Sequence, residues 1–207
     1  MKIARLFYLS LYPKPLTPDD VQSLLKSLKQ DDKAAKNVLV SLIEHRLNHR
    51  YVRPLLHVPE DYKSGFLMMA ASCLLIEALQ SFYEGLEDTD QASKKAFKDF
   101  FEREKQFFPE FDEFFPKSFT REKTNNFYIN IRCGILHQAE TTGGYRIFRK
   151  GPLFNKPAKA INANRFLKAV NDCLNKYIEE LRTSDCNSVR WNKAADKINY
   201  ICKNCKS

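Results

Sequence analysis

Four histidines in 207 residues leave few candidates for acid–base chemistry at neutral pH, where histidine alone titrates without help from its surroundings. The chain has no glycine-rich phosphate loop, no Gly-x-Ser-x-Gly elbow and no His-Glu-x-x-His pair. The signatures of P-loop nucleotidases, α/β-hydrolases and zinc proteases are therefore missing, and the cysteines show no Cys–His pattern of a thiol hydrolase. No internal repeat, low-complexity segment or domain linker stands out. The longest apolar run, Phe66 to Ile76, is cut off by Glu77 at about half a membrane span. At the start, Arg5 and then Pro13 interrupt the apolar residues, and no small-residue cleavage site follows. This predicts no signal peptide and a cytoplasmic protein without membrane association. Its six cysteines are then expected to be reduced thiols rather than a disulfide framework.

What is present suits one helical domain spanning 1–207. A content of 43% hydrophobic and 13% aromatic residues supports a real core and argues against disorder. The net charge of +9 favours polyanionic partners. Thr17-Pro18-Asp19-Asp20 reads as a helix start, with a cap, proline in the first turn and acids behind it. N-terminal helices are expected over about 17–50, and Pro54 and Pro59 break the connection that follows. A central apolar helix is expected over about 66–83, ended by Gly85. Within it Glu77, among leucines and isoleucine, needs a partner; either it reaches water or it pairs with Arg132 or Arg53. Residues 94–119 hold nine phenylalanines at helical spacing, either core or a partner-binding surface. C-terminal helices are expected over about 162–203, the first capped by Asn162 or Asn164.

Phe127, Ile131, Ile135 and Ala139 recur every four residues and predict a helix over about 124–140. Asn126, Asn130, Cys133, His137 and Glu140 fall on the face opposite this stripe, with Arg132 at the border. Gly134, costly inside a helix, is expected to let another backbone, protein or phosphodiester, approach. Thr141-Thr142-Gly143-Gly144 stops the helix. Tyr145 to Phe154 then reads as a small β-hairpin over about 145–155 turned at Lys150-Gly151-Pro152.

From Thr141 to Asn171 there is no acidic residue, whereas Arg146, Arg149, Lys150, Lys156, Lys159, Arg165 and Lys168 are all basic. Such a run is either a solvated face or a track for a phosphate backbone. Tyr145, Phe148 and Phe154 interleave with it as possible base-stacking rings. His45 and His49, with Cys202 and Cys205, have zinc-ligand spacings within each pair, but about 150 residues separate the pairs. No metal or other cofactor is expected. His57, between two prolines, reads as a loop residue.

Arg132-Cys133-Gly134-Ile135-Leu136-His137 is an Arg-x4-His motif, and it resembles the signature of the HEPN superfamily of helical domains. The resemblance covers about residues 35–185. It implies an all-α, HEPN-like helical bundle and a metal-independent endoribonuclease of a toxin–antitoxin or anti-phage defence setting. Arg132 and His137 would be the catalytic pair, and two motif helices would face each other in a homodimer. RNA is the implied substrate, and an antitoxin or other defence protein a possible partner.

The chemistry fits the residues. The 2′-hydroxyl of RNA is an internal nucleophile held near its phosphorus. A histidine can move its proton, and an arginine can grip the phosphate as charge develops. Asn126, Asn130, Cys133, Glu140 and Glu77 would be supporting polar groups, with Cys133 a wall of the pocket. Cys133 stands where active members often carry Asn, Asp or His. That feature favours the rival reading, a non-catalytic HEPN-like module binding nucleic acid, a nucleotide or a protein. A helical adaptor using the phenylalanine-rich face is a third possibility.

Overall fold

The computed structural model describes residues 16–59, 61–114 and 127–205. The chain is mostly helical with a small three-stranded sheet. The described residues form six α-helices: α1 Pro18–Lys29, α2 Lys33–Leu47, α3 Gly65–Glu84, α4 Ser93–Glu104, α5 Ala163–Thr183 and α6 Val189–Asn204. Short stretches of other helix type occupy Asn48–Val52, Pro109–Glu113 and Tyr128–Gln138.

Local chemistry sets these boundaries. Thr17 and Asp20 form the reciprocal capping box of α1, and Asp32 caps α2 by accepting from the backbone of Ala34 and Ala35. Gly85, at φ +68°, follows the end of α3, a conformation that favours glycine. Asn162, not Asn164, caps α5, its Oδ1 accepting from Arg165 N at 3.1 Å.

The residues group into two compact units, 1–49 with 81–89 and 174–207, and 50–80 with 90–173. Helices α3 and α5 lend residues to both. In the first unit Val21, Leu25, Leu39, Leu42, Ile43, Leu174, Tyr177 and Trp191 are all buried. Trp191 satisfies its indole N–H on Leu181 O at 2.9 Å, as a buried tryptophan requires.

The second unit is built on phenylalanine. The ring of Phe101 lies 5.0–6.4 Å from those of Phe97, Phe100, Phe111, Phe114, Phe127 and Phe166. All seven are at most 1% exposed. The phenylalanine-rich stretch is therefore core, with Phe107 exposed at its edge; Phe115 and Phe119 lie outside the described residues. Helix α3 is long and apolar enough to cross a membrane, but 67% of the relevant window is buried inside the protein.

The expected hairpin over 145–155 is corrected. Strand β1 (Arg146–Phe148) does not pair with β2 (Phe154–Asn155); both pair with β3 (Ala160–Asn162), β1 in parallel and β2 antiparallel. Two interactions draw the ends of the 149–153 connection away from a tight turn. Asn162 Nδ2 donates to Gly151 O at 2.7 Å. Arg149 donates from Nη2 to Val58 O at 2.7 Å and from Nη1 to the carbonyls of Pro59 and Tyr62.

Phe101 sits at the centre of the ring cluster. Phe101→Ala should destabilise the protein by about 3–5 kcal/mol, the range for truncating a buried phenylalanine, read as a fall in the urea midpoint with unchanged slope.

Candidate functional site

The segment Tyr128–Gln138 is a π-helix, closed by i→i+5 hydrogen bonds rather than i→i+4. This changes which side chains meet. On an α-helix, residues five apart stand about 140° around the axis from each other. On the wider helix five residues make little more than one turn, so Arg132 and His137 come to the same side. Arg132 Nη1 lies 3.3 Å from His137 Nε2. Arginine has no acceptor, so in a hydrogen bond between the two Nη1 donates and Nε2 accepts.

Arg132 is held from behind. Its Nε donates to Glu77 Oε1 of α3 at 2.8 Å, with the two side chains 16% and 13% exposed. Its guanidinium carbon lies 5.5 Å from the centre of the Tyr128 ring. Burial works against the charge on Arg132, but the hydrogen bond and charge of Glu77 outweigh it, and the pKa is raised. Cys73, one turn before Glu77 and fully buried, has its thiol pKa pushed up by burial and then by Glu77. Of the two carriers of the sequence motif, Arg132 is thus anchored and His137 is exposed.

Of the two backbones expected near Gly134, protein and phosphodiester, a protein one is there. Gly134 is buried, and the backbone that approaches it is the chain's own: an added Cβ would overlap the Glu140 carbonyl oxygen, with Glu140 C and Thr141 Cα each 3.5 Å away. Ala139 turns left-handed at φ 57°, and the N–H groups of Ala139 and Glu140 both reach Gly134 O. The chain folds back over the helix end at the turn where His137 emerges.

The other expected polar groups divide. Asn130 is committed to the returning chain: its Oδ1 accepts from Thr142 Oγ1 at 2.7 Å and its O from Thr142 N at 3.0 Å. Any Cβ at Gly143 would collide with its amide. Cys133 is half-buried beside Arg132, Glu140 is exposed at the helix end, and Asn126 lies outside the described residues.

The basic run also divides. Arg149 spends its donors on the 58–62 carbonyls and on Asn164 Oδ1 at 3.1 Å. Lys159 donates to Gly143 O at 2.9 Å, and Lys156 pairs with Glu113 at 2.8 Å. Arg146, Lys150, Arg165 and Lys168 are exposed.

His45 and His49 stack on each other with ring centres 3.8 Å apart. Cys202 is buried in α6 and Cys205 half-buried just after it. Among the described residues no group of three or more His, Cys, Asp or Glu is placed to hold a metal ion. A cavity of about 770 Å³ in the first unit is lined by residues including Gln22, Lys26, Asp196, Tyr200 and Cys202, and by neither His45 nor His49.

One feature of the second unit was not anticipated from sequence. Glu104, fully buried on α4, pairs with Arg103 Nε at 2.6 Å, and Arg103 Nη1 donates to Gln80 Oε1 at 2.7 Å. Gln80 is one turn of α3 beyond Glu77. The sequence signal was the helical spacing of Glu104 from Phe97, Phe100 and Phe101, hidden among the charges of Glu102, Arg103 and Lys105.

Comparison with known proteins finds no matching family model, curated protein or solved structure. The site is accordingly read from its own geometry.

Replacing an interior helical glycine by alanine ordinarily stabilises, by about 0.5–1 kcal/mol. Gly134→Ala should do the reverse, lowering the thermal midpoint, because Glu140 must move. Glu77→Gln keeps the shape but removes the charge that holds Arg132, and should lower the urea midpoint, because it leaves a half-buried guanidinium without its ion partner.

Proposed function

We propose that this protein is a metal-independent endoribonuclease of HEPN-like type, with Arg132 and His137 as its catalytic pair. The observation that carries the reading is the 3.3 Å contact between Arg132 Nη1 and His137 Nε2, with Arg132 fixed through Nε by Glu77. A guanidinium held by one edge presents its remaining donors in a fixed direction, the preorganisation that phosphate recognition requires. The imidazole nitrogen beside it has its lone pair available.

On this reading an RNA phosphate takes Arg132 Nη1 away from His137. The freed Nε2 then accepts the proton of the 2′-hydroxyl as its oxygen attacks the adjacent phosphorus. The P–O5′ bond breaks, and the leaving oxygen needs a proton. One chain places one suitable histidine, so the acid comes from His137 of a second copy across a two-fold axis, the commonest soluble assembly. The exposed Arg146, Lys150, Arg165 and Lys168 carry the substrate backbone. The biological setting is toxin–antitoxin or anti-phage defence, in the cytoplasm, with an antitoxin-like protein as partner.

Purified protein should cleave labelled RNA in excess EDTA, leave DNA intact, and release 2′,3′-cyclic phosphate and 5′-hydroxyl ends. His137→Ala and Arg132→Ala should each lower the rate by at least about a hundredfold, the scale of a lost acid–base or oxyanion group, without change in helical circular dichroism. Arg132→Lys should rescue little, since a point charge cannot both bind Glu77 and fork to phosphate. Wild-type activity in His137→Ala would overturn the assignment. RNA binding without any cleavage would support the rival binding module instead.

The active species should elute at twice the 24.2 kDa chain mass. Full activity of a monomer would remove the shared-site argument.

A further inference from the structure

Exposure alternates along Tyr145 to Lys150, as a strand with one buried side requires. The inward residues are all engaged. Tyr145 is buried and stacks on Phe154, with ring centres 6.4 Å apart and planes within 14°. Ile147 lies against Gly65, where an added Cβ would come within 3.0 Å of Ile147 Cγ2. Arg149 holds the 58–62 carbonyls. The outward residues are Arg146, Phe148 and Lys150. Phe148 is 49% exposed, and among the described residues no ring packs on it and no acid pairs with Arg146.

Of the three rings that interleave with the basic run, the fold thus uses Tyr145 and Phe154 internally, Phe154 also meeting Phe114 at 5.2 Å. Only Phe148 keeps a face for an outside partner.

We propose that the outer face of β1 is a stacking platform for single-stranded RNA, with Phe148 taking one base and Arg146 a neighbouring phosphate. The choice of RNA among polyanions rests on the nuclease reading above; the platform itself rests on β1. Residues two apart on a strand are about 6.6 Å apart, a reach that lets a base and an adjoining phosphate be held together. Among the described residues the strand lies at the edge of the sheet and pairs only with β3, and its outward side chains are exposed. No acidic residue occurs from 141 to 171, so the charge complements a phosphate backbone.

Cations on an edge strand also discourage strand-to-strand aggregation, which accounts for Arg146 and Lys150. It does not account for Phe148, since a large exposed apolar ring on an edge promotes association. Stacking does, because every base has a face to offer and the ring then needs no sequence preference. Duplex bases are already stacked, so the partner is single-stranded.

The test is fluorescence anisotropy with a labelled 2′-O-methyl RNA 12-mer, which lacks the nucleophile and cannot be cleaved. Wild type should bind it, with an affinity that falls as salt rises. Phe148→Ala should weaken binding roughly tenfold or more, the scale of one lost base stack, with an unchanged salt slope. Phe148→Trp should restore it and Phe148→Leu should not. Arg146→Gln should instead flatten the salt dependence by about 0.7, as expected for one phosphate on a single strand.

Wild-type binding by Phe148→Ala, or no binding by wild type, overturns the platform. If Phe148→Ala binds normally while His137→Ala abolishes cleavage, the platform fails and the nuclease reading stands. If binding depends on Phe148 but no RNA is ever cut, the nuclease reading fails and the platform stands.

Discussion

The ion pair between Glu77 and Arg132 is the constraint from which the rest of the site follows. Glu77 is a carboxylate on the most apolar helix of the chain, and at 13% exposure it cannot remain charged there without a partner. Arg132 supplies one through Nε, and by doing so gives up its freedom to point elsewhere. The Nη edge is left facing along the π-helix toward His137. Removing the acid would leave a half-buried guanidinium without its ion partner. The pair therefore links a packing problem in α3 to the orientation of a cation at the surface.

The wide helix is the second requirement. Arg132 is fixed by α3, so whether His137 meets it depends on how far the backbone turns in five residues. An α-helical turn would carry the imidazole to another side; the i→i+5 turn brings it back. Gly134 makes the closure of that helix possible, since the returning Glu140–Thr141 backbone occupies the space of a side chain there. Asn130 and Thr142 tie the same return down. Asn130 and Gly134 thus serve to hold the geometry of the motif, in which Arg132 is half-buried and His137 exposed.

Behind this surface the second unit is filled with aromatic rings. Tyr128 sits 5.6 Å from Phe97, and Phe127 stacks on Phe166 at 5.3 Å. The start of the π-helix is thereby embedded in the phenylalanine core, and its position is set by contacts that do not involve the polar groups at all. Division of labour is also visible in the basic run. Arg149 and Lys159 satisfy backbone carbonyls, while Arg146 and Phe148 remain at the surface, a separation imposed by the alternation of a strand.

Sequence alone determined the positions of the helices, because caps such as Thr17 with Asp20, Asp32 and Asn162, and stripes such as Phe97-Phe100-Phe101, are local properties of the chain. It also singled out Arg132, His137 and Glu77, by residue type and by the cost of a carboxylate among leucines. The strict four-residue recurrence of Phe127, Ile131 and Ile135, longer than the α-helical period of 3.6, was the one trace of a wider helix. The sheet order and the Arg103–Gln80 hydrogen bond were not legible, since those pairings join residues on different elements. The same holds for the division of basic residues between structural and exposed roles. Only the tertiary structure decided those, because which carbonyl an arginine meets, and which strand lies in the middle, is settled by long-range packing rather than by the local preferences of the chain.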